Sequence, residues 1–252
     1  MLRTILSESR KAFVLTNLKS KYCSKPKQFP EINQVTLVGT LINDAFTLPS
    51  GTKNLTLKSY DASGERYQIF NVNTRGFDEL KGGQRVHVSG RLKSVPVELE
   101  NGKRRDQISV MANRIFVLDN NNNQSEGENT AGNDINQINI VANVVGVGKV
   151  GTEGPHIFNL ATHYRRNTEN GETERGSHFH SVFVYDEHLK SVSTNLKASD
   201  KVAIQGEIRN NTNTLSDGKK KYYGYIVAKS IEKVQRRAQQ ADHDDVEHEA
   251  NN

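Results

Sequence analysis

Short runs of alternating apolar and polar residues recur along this chain and predict β-strands. In the first half they predict strands over residues 35–41, 55–60, 67–74, 85–93 and 108–118, and in the second half over 138–145, 157–163, 179–185, 201–209 and 222–234. Between the third and fourth strands of each half, the sequence predicts a short helix, at 77–80 and at 189–196. The pattern therefore predicts an all-β protein with two similar halves.

The two halves share sequence as well as pattern. The segment INQVTLV at 32–38 returns as INQINIV at 135–141, and RVHVSGRL at 85–92 returns as KVAIQGEI at 201–208. Two matched blocks in the same order, about a hundred residues apart, indicate a duplicated domain. A unit of that length suits a small globular domain.

Five strands with a helix between the third and fourth is the plan of the OB-fold, whose exposed face commonly binds oligonucleotides. A glycine in each fourth strand, Gly90 and Gly206, favours this plan, because a small barrel closes only where a strand bends sharply. We expect two tandem five-stranded OB-fold barrels, each with a short helix. The first spans 29–119 and the second 134–235.

The segments outside these domains have distinct compositions. Residues 120–133 are rich in Asn, Ser, Glu and Gly and predict a flexible linker, and residues 236–252 predict a disordered acidic tail. Residues 1–28 hold seven Lys or Arg against one acid, Glu8, with apolar residues at loosely helical spacing. That composition predicts a mitochondrial transit peptide. The alternative is a basic arm that contacts nucleic acid directly.

Composition narrows the function classes. The 252 residues carry a formal charge of +5, which is a mild bias toward polyanions, and no apolar run approaches the roughly 20 residues of a membrane span. The single cysteine, Cys23, excludes an intramolecular disulfide. No catalytic motif or phosphate-binding glycine loop emerges. Four histidines of the second half lack a zinc-ligand pattern, so we expect no metal. Because no catalytic motif is present in the sequence, we also expect no cofactor and no enzyme activity.

Several segments of the second half resemble the single-stranded DNA-binding proteins of bacteria and mitochondria. NQINIV at 136–141 is similar to the opening strand of that family, and FNLAT at 158–162 is similar to its F-S-L-A-T strand. HFHSV at 178–182 resembles T-E-W-H-R-V, with Phe179 in the place of Trp and His180 on the family's His. KASDKV at 197–202, followed by Gly206, resembles K-K-G-x-x-V-x-x-x-G. The first half matches more loosely, with Ile69 and Phe70 where Trp-His would be.

The resemblance implies a surface of aromatic and basic side chains, because such proteins stack bases on rings and hold the backbone with cations. The candidates in the second half are Tyr164, Arg165, Arg166, Phe179, Tyr185, Arg209, Lys219, Lys220, Lys221, Tyr222 and Tyr223. Those in the first half are Tyr60, Tyr67, Arg91, Lys93, Lys103, Arg104 and Arg105. The alternative is a solvated hairpin with its tyrosines packed on the barrel. His180 is expected at a subunit contact.

The function that this resemblance implies is non-catalytic binding and protection of single-stranded DNA during mitochondrial DNA replication and maintenance, in the matrix nucleoid. A homodimer is favoured, because a family tetramer presents four such domains and this chain carries two. Mitochondrial replication proteins are candidate partners, and no membrane association is expected. One alternative is a mitochondrial RNA-binding protein, since stacking and phosphate contacts alone do not distinguish RNA from DNA. Another is an OB-fold adaptor that pairs with other nucleic-acid-binding proteins.

Overall fold

The computed structural model describes residues 30–77, 79–98, 102, 104–119, 134–148, 154–167, 171–214 and 220–234. The predicted leader, linker and tail lie outside these residues. Among the described residues, no helix has the length and apolar character needed to cross a membrane. The elements of the first half are β1 (Ile32–Leu41), β2 (Phe46–Thr47), β3 (Lys53–Tyr60), β4 (Tyr67–Thr74), β5 (Arg85–Glu98) and β6 (Arg104–Asp119). Those of the second half are β7 (Ile135–Val147), β8 (His156–Asn167), β9 (Thr173–Val184), α1 (Glu187–Ser193), β10 (Lys201–Thr214) and β11 (Lys220–Lys233).

In each half, the strand pairings form a closed circuit. β1 pairs with β3 and β5, β3 pairs with β4, and β5 pairs with β6, while a parallel pairing of β4 with β6 closes the ring. The second half repeats this circuit with β7, β8, β9, β11 and β10, again with one parallel pair, β9 and β11. The all-β architecture is consistent with the OB-fold.

The glycines of the fourth strands lie where that strand changes register. The pairing of β5 with β6 shifts at Gly90, and the pairing of β10 with β11 shifts at Gly206. A Cβ atom at Gly90 would lie 2.3 Å from the Met111 carbonyl oxygen, and one at Gly206 would lie 2.2 Å from that of Val227. Only glycine permits so close an approach of the two backbones at these register shifts.

The two halves differ at the predicted helices. α1 begins after Asp186, whose carboxylate accepts a hydrogen bond from the Leu189 amide, and it ends three residues before the predicted end. The helix predicted at 77–80 is wrong, because residues 77, 79 and 80 adopt neither helix nor strand, and residue 78 is outside the described residues. Gly76 and Gly83 both have positive φ angles, so the segment between them is too short to nucleate a helix.

An approximate two-fold axis relates the halves. β1 pairs antiparallel with β7, and Val35 lies opposite Ile138, which is its counterpart in the duplicated sequence. Here "counterpart" means the residue at the same register position in the other half. The pairing joins both circuits, so that six strands lie side by side in the order β6-β5-β1-β7-β10-β11 within the continuous sheet; we call these six the six-stranded sheet. The halves therefore associate through the same strand of each, as identical subunits do around a two-fold axis.

Each long hairpin crosses onto the opposite half. The Asn210 amide, on β10, donates to Gln68 Oε1 at 2.8 Å, and His178 Nδ1 donates to the Ser94 carbonyl oxygen, on β5, at 3.0 Å. Gln68 and His178 are counterparts, as are Ser94 and Asn210, so both contacts obey the two-fold relation. The hairpins extend well beyond the predicted strand ends because they pack on the other half.

Acidic residues before the first strand of each half add a second pair of matched contacts. Asp134 Oδ2 accepts a hydrogen bond from the Tyr60 amide at 2.9 Å, and its Oδ1 lies 2.8 Å from Arg85 Nη2. Its counterpart Glu31 accepts the His163 amide at 2.8 Å. Burial raises the pKa of the Asp134 carboxyl group, although the hydrogen bond from the Tyr60 amide and the charge of Arg85 act to lower it. The acidic residue that precedes the first strand of each half thus forms a hydrogen bond with the other half.

Candidate nucleic-acid interface

Aromatic side chains follow the outer face of β9 and its end. His180, Val182 and Val184 are buried, so the alternating residues between them point outward. Phe179 is 49% exposed and Tyr185, which follows the strand, is 48% exposed. We call Phe179, Phe183 and Tyr185 the β9 stripe. Rings exposed along one strand can each stack on an unpaired base.

A neighbouring strand extends the stripe sideways. The ring of Tyr225, on β11, lies with its centroid 4.3 Å from that of Phe183. Burial raises the pKa of Tyr225, and its hydrogen bond with Tyr185 raises it further. Phe183 and Tyr225 are not among the residues predicted from the sequence. The even spacing of Phe179, Phe183 and Tyr185 is a signal for Phe183, whereas Tyr225 is brought here by the pairing of β11 with β9.

Two arginines lie at the other end of the same face. Arg165 on β8 is directly opposite Arg175 on β9, and both side chains are exposed. Neither forms an ion pair with a carboxylate among the described residues. Like charges directly opposite on paired strands are destabilising, so this pair favours an anionic ligand. Arg175 was not predicted, and its position opposite Arg165 becomes visible only with the register of the hairpin.

A groove separates the arginine pair from the stripe. It has a volume of about 420 Å³ and is lined by residues that include Val145, Ala161, His163, Ser177 and Phe179. Ala161 is opposite Phe179, and His163 is opposite Ser177, so these four share one face of the β8–β9 hairpin with the arginines. The groove thus has an aromatic wall, Phe179, and polar groups from His163 and Ser177.

Two of the predicted residues lie on the reverse face of that hairpin. The Tyr164 ring covers Gly176, where a Cβ atom would lie 2.5 Å from the ring, and it stacks on His178 at a centroid distance of 4.6 Å. Arg166 pairs with Glu174. Tyr164 and Arg166 therefore lie apart from Phe179 and Arg165, and the charge of Arg166 is already compensated.

His180 lies between the halves of one chain. The residue is 2% exposed, its Nε2 is 2.9 Å from Thr162 Oγ1, and Asn33 of the first half donates to that hydroxyl at 3.4 Å. Burial, with a smaller effect of the His178 charge, lowers the pKa of His180 to about 3. The ring is therefore neutral at physiological pH. The expected contact between separate subunits remains a prediction.

The remaining candidates of the second half contribute less to this face. Tyr223 is 3% exposed, so its ring is not available at the surface, and the expectation that it stacks on a base needs correction: the side chain packs inward. Arg209 pairs with Glu207. Lys219 lies outside the described residues, and Lys220, Lys221 and Tyr222 lie on β11 with side chains outside the described part.

In the first half, the candidates form a smaller cluster. The Lys58 ammonium lies over both tyrosine rings, 4.6 Å from the Tyr60 centroid and 4.5 Å from that of Tyr67, which is 50% exposed. The outer face of β4 beyond Tyr67 carries Ile69 and Asn71 instead of aromatic residues.

The basic candidates of the first half are on its long hairpin. Arg91 and Arg105 are exposed, and Lys93 is half-buried. The pKa of His178 is lowered mainly by burial, with the charges of Lys93 and Arg91 adding to this, so the hairpin brings these cations close to the second half. Lys103 is outside the described residues, and Arg104 lies on β6 with a side chain outside the described part.

Metal binding receives no support from the geometry. Within the described ranges, no group of three or more His, Cys, Asp or Glu residues is arranged to hold a metal ion. The outer face of β8 and β9 thus combines aromatic rings with cations.

The comparisons with known proteins point to the same part of the chain. Residues 135–234 match the single-strand binding protein family. They include β7 to β11 and therefore the whole β9 stripe. No curated protein matches the chain significantly.

Solved structures of single-stranded DNA-binding proteins resemble this chain to different extents. The wild-type single-stranded DNA-binding protein of Thermus aquaticus is 22% identical, and the match covers 84% of this chain and 97% of that one with a TM-score of 0.57. A deletion mutant of the same protein is also 22% identical, with coverage of 81% and 95% and a TM-score of 0.53. A mitochondrial single-stranded DNA-binding protein from S. cerevisiae is 16% identical over 40% of this chain and 95% of that one, with a TM-score of 0.29. The family model thus matches the second half of the chain, and the Thermus structures share the fold over most of it.

Proposed function

We propose that this protein binds and protects single-stranded DNA through the outer face of β8 and β9, without catalysis. The observation that carries the proposal is the combination on one face of the β9 stripe with Arg165 and Arg175, which form no ion pair within the described part of the chain. Rings stack on bases and guanidinium groups hold phosphates, and single-strand binding needs both. The family matched by residues 135–234 adds support.

The proposal predicts a preference for unpaired strands, because bases within a duplex already stack on each other and cannot cover the β9 stripe. The test is a fluorescence titration of the full chain with oligo-dT, oligo-rU and a duplex of equal length at two salt concentrations. Tight binding to oligo-dT with weak binding to the duplex supports the proposal. Equal affinity for duplex, or binding to none of the three, contradicts it. Preference for oligo-rU identifies the RNA-binding alternative.

For the architecture, we infer two tandem OB-fold barrels, one from each circuit of strands, with domain limits of 29–119 and 134–235. The repeated sequence blocks and the equal order of pairings support this inference. The halves differ in their chemistry, since the second carries the β9 stripe and the first carries Tyr67, Ile69 and Asn71 on the same face of β4. An assembly role is therefore favoured for the first half and DNA binding for the second.

We also propose a homodimer that associates through the outer face of the six-stranded sheet. Phe116, His87, Val38 and Ile135 form one row across β6, β5, β1 and β7 of that face. Phe116 is 55% exposed and Ile135 is 40% exposed. Exposed apolar side chains such as Phe116 and Ile135 on one sheet face are typical of a surface that packs on another protein, and two-fold pairing of identical chains is its simplest use.

A mitochondrial location is proposed from the basic, acid-poor leader, residues 1–28. Its role would be the maintenance of mitochondrial DNA, with replication proteins of the organelle as further partners. Fusion of residues 1–28 to a fluorescent reporter tests the location directly. Import into mitochondria supports the proposal, whereas a diffuse cytosolic signal favours the alternative of a nucleic-acid-binding arm.

A further inference from the structure

The two places where a long hairpin meets the opposite half differ in charge, although the two-fold relation makes them equivalent in position. At one of them, His178 Nδ1 donates to the Ser94 carbonyl oxygen, and at the other the Asn210 amide donates to Gln68 Oε1. We call them the His178 junction and the Gln68 junction. A histidine ring can gain a proton near neutral pH, whereas a side-chain amide cannot. The two junctions can therefore respond differently to an anionic ligand.

Two cations of β5 lie beside the His178 junction. Lys93 directly precedes Ser94, and Arg91 lies two residues earlier on the same side of the strand, with Leu92 buried between them. Neither Arg91 nor Lys93 forms an ion pair with a carboxylate within the described part of the chain. Neighbouring cations without a compensating acid produce a positive potential that attracts anions.

The counterparts of these cations are already neutralised. Arg91 and Lys93 correspond to Glu207 and Arg209 on β10, where Arg209 Nη2 lies 2.5 Å from Glu207 Oε1. The ammonium group of Lys229 lies 3.5 Å from the second carboxylate oxygen of Glu207. At that junction, a carboxylate of the chain therefore already occupies the position beside the cations.

The other groups around the His178 ring do not oppose a positive charge on it. Tyr164 stacks on the ring with centroids 4.6 Å apart, and the face of a tyrosine ring attracts cations. Glu174 binds Arg166 and the Tyr164 hydroxyl, so its charge is compensated on the same side of the hairpin. His180 has its ring centroid 6.5 Å from that of His178 and is buried and neutral.

Without a ligand, the His178 ring favours its neutral form. Burial is the main cause of its lowered pKa, and the charges of Lys93 and Arg91 lower the pKa further. The Asp106 carboxyl of β6, which also packs against β9, interacts with Ser181, and burial raises its pKa. A phosphate beside the two cations would compensate their charges and place a negative charge near the ring. The pKa of His178 would then rise.

We infer that Arg91, Lys93 and His178 bind a phosphate group of single-stranded DNA at the His178 junction, and that His178 takes up a proton when the phosphate binds. The β9 stripe and this junction lie on opposite sides of β9, and β11 pairs with β9 only at Val182 and Phe183. A strand that leaves the stripe can therefore cross the edge of β9 to the hairpin of the first half. This inference rests on the proposed function. It goes beyond that function because the proposed face ends at the outer side of β8 and β9.

The test is a calorimetric titration of the full chain with oligo-dT near about pH 6.5, the ordinary pKa of histidine, in two buffers of different ionisation enthalpy. An oligomer of about 30 nucleotides can span both halves, at up to about 16 nucleotides for each OB-fold. The difference between the two observed enthalpies gives the number of protons taken up per strand. We expect uptake by the wild type, with an affinity that rises as the pH falls, by at most about tenfold per pH unit for one proton.

Two variants test the residues of the junction. His178→Gln introduces the residue of the Gln68 junction and should abolish most of the uptake while oligo-dT still binds. Arg91→Gln with Lys93→Gln should also reduce the uptake, and should lower the slope of log affinity against log salt by about 1.4, the value for two lost phosphate contacts. The double variant decides if thermal unfolding shows that His178→Gln does not fold, since it changes side chains on the outer side of the hairpin.

The controls separate this junction from other sources of protons. Lys229→Gln makes the same change of charge on the hairpin of the second half and should leave the uptake unchanged. Uptake that survives His178→Gln and disappears with His163→Gln overturns the inference, as does a wild type that binds oligo-dT without taking up protons. Equal uptake with the dinucleotide d(TpT) also overturns it, because the site would then serve small phosphate ligands instead of a strand. If the full chain binds no oligo-dT, the proposed function fails together with the inference.

Discussion

Ile108 packs against Gly224, which is its counterpart in the second half. Ile108 is opposite Ser94 on β5, and Gly224 is opposite Asn210 on β10, at matching register positions. A Cβ atom at Gly224 would lie 1.8 Å from Ile108 Cδ1. A residue on a two-fold axis meets its own counterpart, so the space there accommodates one large side chain and not two. Duplication within one chain permits this asymmetry, which identical subunits could not have.

The first prediction concerns this contact. Gly224→Ala should destabilise the chain by about 1–3 kcal/mol, because the new methyl group overlaps Ile108. Adding Ile108→Ala should cost less than the sum of the two single changes, because the second truncation removes the overlap. Chemical unfolding of the four variants measures the coupling. Gly146→Ala is the matched control, since the nearest atom to a Cβ there is 3.9 Å away. Additive costs would contradict the packing described.

The sequence was sufficient for the elements and their order, because alternation of apolar residues is a local property. The predicted strand at 67–74 coincides with β4, and every other predicted strand overlaps an observed one. It was insufficient for features that depend on the association of the halves. The inward position of Tyr223 and the placement of Arg165 opposite Arg175 follow from hairpin register, which no local pattern determines. The two-residue strand β2 was too short to give a pattern at all.

The second prediction concerns acid stability. The pKa of His180 is lowered to about 3 in the folded chain, whereas an unfolded histidine titrates near 6.5. The folded state therefore disfavours protonation of His180. The contribution of this residue to the free energy of unfolding is fully present above about pH 6.5 and decreases as the pH falls toward 3. The slope contributed by one proton is at most about 1.4 kcal/mol per pH unit.

His180→Phe tests this pH dependence with the residue that the first half already uses, Phe70. The variant should lose part of the acid-induced destabilisation between about pH 6 and 3, as measured by urea unfolding at several pH values. His188→Ala is the control, because His188 is exposed and the ring of His180 remains. An identical acid limb in the wild type and His180→Phe would show that other groups control the acid transition.

The third prediction concerns the salt dependence of binding. Arg165→Ala and Arg175→Ala should each weaken single-strand binding and lower the slope of log affinity against log salt by about 0.7, the value for one lost phosphate contact on a single strand. Arg166→Ala should change the slope little, because Arg166 faces the other side and pairs with Glu174. Titrations at four salt concentrations provide the slopes. If the Arg166 variant loses as much as the other two, the assignment of the binding face is wrong.

The fourth prediction concerns assembly through the six-stranded sheet. Phe116 lies opposite His87 at one end of this face. Its counterpart Glu232 lies opposite Ala203 at the other end. The face is therefore apolar at one end and acidic at the other. Phe116→Glu places a charge in the apolar row and should separate the proposed dimer, since a buried unpaired carboxylate opposes association. Light scattering of the full chain at micromolar concentration should give the mass of two chains for the wild type and of one for the variant. Phe46→Glu is the control, because Phe46 is similarly exposed but lies on β2, outside the six-stranded sheet. A wild-type mass of one chain would contradict the dimer. A dimer that survives Phe116→Glu and separates with Phe46→Glu would show that the interface lies elsewhere.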